Sequence, residues 1–245
     1  MKNTFSEIDN LKVKLDELRP LAGEKVLKAF DIEYTYESNR IEGNTLTLQE
    51  TALVVEKGLT ISGKPLKDHL EAINHVHALE YVKGLVAEQD NFTPTILLNI
   101  HRLILQGIDN DNAGKYRAVP VMISGAKHIP PQPYLVAKQM EDYFIWYDEN
   151  IVALHPVELA AEMHERLVTI HPFIDGNGRT ARLVMNLLLL QSGYPIVMLK
   201  GDANSRLEYY NALEKAQVDG DKSTFITLIA NEQLNSLNRI ISIFN

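Results

Sequence analysis

His171-Pro172-Phe173-Ile174-Asp175-Gly176-Asn177-Gly178-Arg179-Thr180-Ala181-Arg182 is the stretch on which the reading of this 245-residue chain turns. Pro172 disfavours helical geometry at His171, so the helix expected over Pro156–Thr169 ends there. Gly176-Asn177-Gly178 is a turn whose successive amides can form an anion-binding nest. A very apolar helix, Arg179–Gln191, follows at once. A helix N-terminus carries partial positive charge and unpaired N–H groups, and phosphate is its expected guest. Arg179 and Arg182 lie on neighbouring rows of that first turn. Two guanidiniums beside an amide nest describe a polyphosphate clamp. Asp175 is a carboxylate suited to Mg²⁺ (or Mn²⁺), an ion that rides on substrate phosphates with one or two protein carboxylates. His171 is a base that titrates near working pH. Gly176, Gly178 and Ala181 also fit the dinucleotide pattern G-x-G-x-x-A, which would demand a parallel sheet. Pro172 and Asp175 stand between the would-be strand Leu167–Ile170 and the turn, and too little chain follows to complete a sheet.

Helical periodicity extends outward on both sides. Leu11, Leu15 and Leu18 recur at helical spacing before Pro20. A second helix is expected through Lys25–Asn39, and a third opens at Thr47 with Glu50 placed as in a capping box. Asp68–Val86 reads as a fourth, and Thr93-Pro94 starts the next. Helices are also expected at Tyr134–Glu149, Ser205–Gln217 and Ser223–Phe244. Gly114–Pro133 differs. Val119, Val121 and Ile123 alternate around Pro120 and Met122, Ser124-Gly125 makes a turn, and His128-Ile129-Pro130-Pro131 returns. This reads as a short edge hairpin. The fold class is therefore all-α with one small β-hairpin. The break at Glu88–Phe92 suggests a boundary between an N-terminal helical region and a core.

Composition removes several functions. Lys and Arg number 24 against 32 Asp and Glu, a formal charge of −8, which argues against a nucleic-acid binder. Cysteine is absent, so disulfides, thiolate metal sites and a cysteine nucleophile are excluded. The longest apolar run, Leu183–Leu190, is short and broken by Asn186, so no membrane span is expected. No apolar leader follows Met1, and the chain reads as soluble and cytoplasmic. Gly58–Lys64 spells G-x-x-x-x-G-K, but Pro65 replaces the hydroxyl residue that would bind Mg²⁺. His164-Glu165 lacks a second histidine at Val168, and His164 reads as a packed core residue.

The 171–182 stretch resembles, without departure, the signature His-Pro-Phe-x-Asp-Gly-Asn-Gly-Arg-x-x-Arg of the Fic-domain (Fido) protein adenylyltransferases. The resemblance implies the Fic fold, a helical bundle with a small β-hairpin flap. Residues 93–231 would be the catalytic core, 1–92 an N-terminal helical region, and 232–245 the continuation of a C-terminal helix. It implies transfer of AMP from ATP to a Ser, Thr or Tyr hydroxyl of an unidentified target protein. His171 would deprotonate that hydroxyl, and Asp175 would hold Mg²⁺ against the α- and β-phosphates. Gly176, Asn177, Gly178 and Arg179 would bind phosphates, with Arg182 on the γ-phosphate. Related Doc-type kinases carry lysine where Gly178 stands, so glycine favours AMP transfer over phosphoryl transfer. Ala126, Lys127 and His128 resemble the flap that holds a target by strand addition. Tyr209 and Tyr210 resemble the adenosine border, with Gln217 where the family often has Asn.

Upstream, Ser38-Asn39-Arg40-Ile41-Glu42-Gly43 resembles the inhibitory motif of self-inhibited Fic proteins. Ser38 and Glu42 share a helix face, Gly43 is a natural helix stop, and Glu42 would pair with Arg182. A homo-oligomer, and relief of Glu42 by a partner, fit that subclass. Two rival functions stay open. One is metal-dependent removal of AMP from a modified protein, with Glu42 orienting water. The other is a non-catalytic nucleotide-binding module.

Overall fold

A computed structural model describes residues 2–19 and 24–244. Its elements are α1 (Lys2–Leu18), α2 (Glu24–Ile41), α3 (Leu48–Lys57), α4 (Leu66–Glu88), α5 (Pro94–Leu105), α6 (Pro133–Asn150), α7 (Pro156–Ile170), α8 (Asn177–Gln191), α9 (Ala203–Glu214) and α10 (Ser223–Ile243). Pro20 lies outside the described residues.

The boundaries follow from local chemistry. Thr47 caps α3 through its side chain, and Glu50 closes a reciprocal capping box. Thr93 caps α5, whose first residue is Pro94. α2 ends at Ile41, and Gly43 takes the left-handed φ of 95° that turns the chain. The fourth helix is longer than its expected Asp68–Val86 span, from Leu66 to Glu88, and closes with Gln89 left-handed. The helix expected to reach Gln217 leaves α-geometry after Glu214 and continues as one π-helical turn, Lys215–Asp219.

α7 and α8 pair at the centre, with α4, α5, α6 and α10 around them. α8 is apolar on nearly every side because it is enclosed on nearly every side. Asn186 interrupts that run for a reason. Its amide donates to the Val197 carbonyl (3.1 Å) and its Oδ1 accepts from the Val197 N–H (2.8 Å), which pins the chain returning after α8. α1 packs on α10, and α2 lies on α4 with its C-terminal end at α8. Residues from both sides of position 92, such as Ile8, Tyr34, Leu79, Val184 and Ile241, share one apolar core.

The hairpin expectation is not met: the described residues contain no strand. The segment between α5 and α6 is held by a side chain instead. Arg117, 3% exposed, donates to the carbonyls of Val119 (3.1 Å), Pro131 (2.6 Å) and His171 (2.8 Å). Pro120, Pro130 and Pro131 supply no N–H to a ladder, so the alternation of Val119, Val121 and Ile123 lacks strand pairing.

Three histidines are buried in this core in the neutral form. Burial lowers His75 to about 3, with Arg182 and Arg179 acting in the same direction. It lowers His101 to about 4 and His164 well below its ordinary value of 6.5. As sequence suggested, His164 is a packed core residue, with Nε2 3.1 Å from the Tyr209 hydroxyl. A depressed folded-state pKa gives stability that is complete above the unfolded value and lost as pH falls. Each such group costs about 1.4 kcal/mol per pH unit below 6.5, so the three together approach about 4 kcal/mol per unit. Urea midpoints should therefore drop steeply between pH 6.5 and about pH 4.5. A midpoint independent of pH across that window would contradict neutral burial.

Candidate active site

The site lies where α7 ends and α8 begins, with the C-terminal end of α2 set against it. His171 caps α7 in the left-handed region, φ 50° and ψ 58°, a conformation rare outside glycine. Its N–H reaches the Leu167 carbonyl (2.9 Å). Its Nδ1 is 3.3 Å from the Val168 carbonyl, which only accepts, so the proton sits on Nδ1 and Nε2 keeps its lone pair. Burial lowers the His171 pKa below its ordinary value, opposed by the Val168 hydrogen bond, and Arg117 lowers it further. The result is a neutral imidazole with a basic nitrogen.

The turn after it is rigid. Asn177 locks it by accepting from the Phe173 N–H (3.0 Å) and donating to the Phe173 carbonyl (2.9 Å). Gly176 takes φ 79°, so α8 opens on N–H groups without a capping side chain. Asp175 Oδ1 accepts from the Gly176 N–H (2.6 Å) and from Arg179 (3.3 Å). Burial opposes its charge, but Arg179 and the Gly176 N–H outweigh that and hold the carboxyl below its ordinary range. Its side chain is 47% exposed, with Lys67 Nζ 3.7 Å from Oδ2.

Glu42 occupies the first turn of α8. Its Oε1 accepts from Arg182 Nη2 at 2.7 Å. The same guanidinium donates to Ser38 Oγ (3.0 Å) and the Ser38 carbonyl (2.9 Å). Ser38, Glu42 and Arg182 thus come together, as the family resemblance implied. A Cβ at Gly178 would overlap Glu42 Oε1 and stand 3.1 Å from Arg182 Nη1. Glycine at 178 is what leaves room for the carboxylate. Glu42 Oε1 thus lies against Gly178 and Arg182 in the first turn of α8.

Other expected residues lie elsewhere. Arg179 is 2% exposed, its Nη1 paired with Glu71 at 3.0 Å and its Nη2 with Asp175. It braces the turn rather than reaching into open space. Tyr209 is 2% exposed and packs between His164 and Phe225, so the adenosine contact expected of it is closed off by burial. Tyr210 is 44% exposed, its hydroxyl on the Ile41 carbonyl (3.3 Å). Ala126 is exposed, Lys127 pairs with Glu214 (2.7 Å), and His128 Nε2 donates to the Thr169 carbonyl (2.8 Å). Lys127 thus ties the segment between α5 and α6 to α9, and His128 ties it to the end of α7.

Sequence reasoning missed Glu71 and Lys67 on α4. Glu71 is buried, holds Arg179, and accepts from Asn44 (2.9 Å), two residues beyond Glu42. Lys67 lies 3.7 Å from both Glu71 and Asp175, closing a ring of alternating charge. No sequence signal marked them: the buried face of α4 carries His69, Asn74 and His75 besides Asp68 and Glu71.

This geometry defines a helical protein with a neutral histidine at the turn that opens an uncapped helix N-terminus. The Fic/DOC family profile matches residues 91–189. "Protein adenylyltransferase Fic" of Nematostella vectensis is 37% identical over 230 residues, covering 91% of this chain and 53% of that protein. "Protein adenylyltransferase fic-1" of Caenorhabditis elegans is 37% identical over 211 residues, covering 85% of this chain and 41% of that protein. The solved structure of Fic-1 from C. elegans superposes with a TM-score of 0.87 at 33% identity, covering 99% of this chain and 72% of that one. A Fic domain containing signaling protein from Bacteroides thetaiotaomicron gives 0.79 at 32% identity, covering 96% and 91%. The chain belongs to the Fic/DOC family. It spans about half, or less, of the length of the curated relatives it matches. No helix among the described residues is long and apolar enough to cross a membrane.

Proposed function

We propose that this chain transfers AMP from ATP to a hydroxyl side chain of a target protein, and that Glu42 restrains the transfer. The observation that carries this reading is a neutral His171, protonated on Nδ1, at the turn that opens α8. His171 Nε2 takes the hydroxyl proton as the oxygen attacks the α-phosphorus. The bond from the α-phosphorus to the bridging oxygen breaks, and pyrophosphate leaves. AMP stays on the protein as a phosphodiester. The α8 amides and Arg182 receive phosphate charge once Glu42 vacates them. Arg179, held by Glu71, keeps Asp175 and the turn in place. Tyr210, not Tyr209, is the aromatic residue open to a base.

Asp175 fits Mg²⁺ or Mn²⁺. It is half-exposed, and its Oδ2 faces only an ammonium at 3.7 Å, a donor set suited to an ion held mainly by substrate phosphates. Such an ion, when bound, neutralises charge on the α- and β-phosphates. Asp175→Ala is expected to lower the rate and weaken the response to added Mg²⁺ together. Full transfer in excess chelator would contradict the assignment. Target docking is assigned to the flap, where Met122 (90% exposed) and Ile129 (78%) present apolar side chains. An extended target segment would add there by main-chain pairing. The test is mass spectrometry of a lysate incubated with ATP and Glu42→Gly, in search of AMP-bearing peptides that His171→Ala does not produce.

Glu42 also supports a second reading. Its carboxylate is 31% exposed beside the base and the anion site, a position from which it could orient water for removal of AMP. The outcome that favours removal is loss of AMP from a pre-modified target with the unaltered chain and not with Glu42→Gly.

A further inference from the structure

The anion-binding turn rests on a residue outside the 171–182 motif. His101 lies on α5 and is 0% exposed. Its Nδ1 is 2.9 Å from the backbone nitrogen of Gly114, and its Nε2 is 3.0 Å from the Asp175 carbonyl oxygen. These partners leave one arrangement. An amide N–H only donates, so Nδ1 is the lone-pair nitrogen, and a carbonyl only accepts, so Nε2 carries the proton. The ring also stacks on Phe173, centroids 3.6 Å apart and planes 9° apart. The turn lies directly on the imidazole: a Cβ at Gly176 would stand 3.4 Å from His101 Cδ2 and 3.2 Å from Ile104 Cγ2. At the other end Gly114, with φ 70°, has no room for a Cβ, which would meet the Leu98 carbonyl oxygen at 3.0 Å.

We propose that His101 is a positioning residue. It fixes the height of the Asp175–Gly176 turn, and with it the first amides of α8, relative to Gly114 at the root of the flap. The nucleotide-phosphate site and the target-docking segment are thereby set against each other through one neutral imidazole. His101 is too deeply enclosed to touch substrate, so its effect is on alignment. The rate consequence rests on the AMP-transfer reading, whereas the tautomer and the geometry do not.

Two variants separate alignment from packing. His101→Gln places an amide N–H near the Nε2 position and keeps the bond to Asp175. His101→Asn reaches only the Nδ1 position and keeps the contact with Gly114. In the Glu42→Gly background, kcat of the Gln variant should stay within about five-fold of the parent, while the Asn variant loses ~10²-fold, with KM for ATP within about three-fold in both. ¹⁵N NMR of the unaltered chain at neutral pH should show a pyridine-type Nδ1 and a pyrrole-type Nε2 for His101. Two results would overturn the proposal. One is the opposite tautomer; the other is equal rates for the Gln and Asn variants, whether both high or both lowered in step with melting temperature. If Glu42→Gly itself transfers no AMP, the functional reading fails. His101 is then judged by the NMR tautomer, and the opposite tautomer overturns the proposal.

Discussion

Glu42→Gly should raise AMP transfer, to target and to the chain itself, by ~10²-fold or more, the scale of a misplacement of about 1 Å at a reacting centre. In the folded chain Arg182 is committed to Glu42 at 2.7 Å and to Ser38 at 3.0 and 2.9 Å. The carboxylate lies where a Cβ at Gly178 would stand. It places negative charge where a phosphate must go and withholds the guanidinium that would meet it. On the proposed reading, an ATP entering beside Glu42 would be turned so that its α-phosphorus is out of line with the hydroxyl. Removing Glu42 leaves Arg182 with both Ser38 acceptors, and Glu42 is itself one-third exposed beyond the end of α2. Its loss leaves the buried Arg182 cation with neutral acceptors only and should cost about 3 kcal/mol of stability. Adding Arg182→Ala to Glu42→Gly should remove most of the gain. A double variant as active as Glu42→Gly would mean that Arg182 is not the group being released.

His171→Ala, read in the Glu42→Gly background, should lower transfer by ~10²–10⁴-fold, the usual scale for loss of a general base. ATP affinity should stay within a few-fold, because the phosphates meet amides and Arg182. The pH dependence has a defined sign. Burial favours neutral His171, so the base stays competent below the ordinary histidine value. The acid limb of kcat/KM should have its midpoint below 6.5 and disappear from the residual activity of His171→Ala. A limb centred above 6.5 would show that another group, or a protonated His171, controls the rate.

The legible parts of this molecule are those whose determinants are contiguous. Helix starts were readable at Thr47 and Thr93-Pro94, where a capping oxygen or a proline acts within one turn. The candidate site could be proposed from sequence because His171, Asp175, the turn and the arginines fall within 171–182. Glu42 and Arg182 are separated by 140 positions, and only resemblance to a family linked them before the fold did. Glu71, Lys67 and His101 have no such signature, because they reach the site from α4 and α5 through packing. The hairpin misled because alternation of Val119, Val121 and Ile123 reports side-chain direction and not the supply of N–H donors, which prolines and Arg117 decide. Tyr209 and Tyr210 were indistinguishable in sequence. Adjacent helical residues point about 100° apart, so one faces the core and its neighbour the solvent.

The central claim is that this site moves the α-phosphoryl group of ATP, with its nucleoside, onto protein. Parallel reactions of Glu42→Gly with ATP labelled at the α-phosphate and ATP labelled at the γ-phosphate test it most directly. The account predicts protein-bound label from the α-labelled nucleotide only, lost with His171→Ala. Label retained from the γ-phosphate would mean phosphoryl transfer, and the account would be wrong.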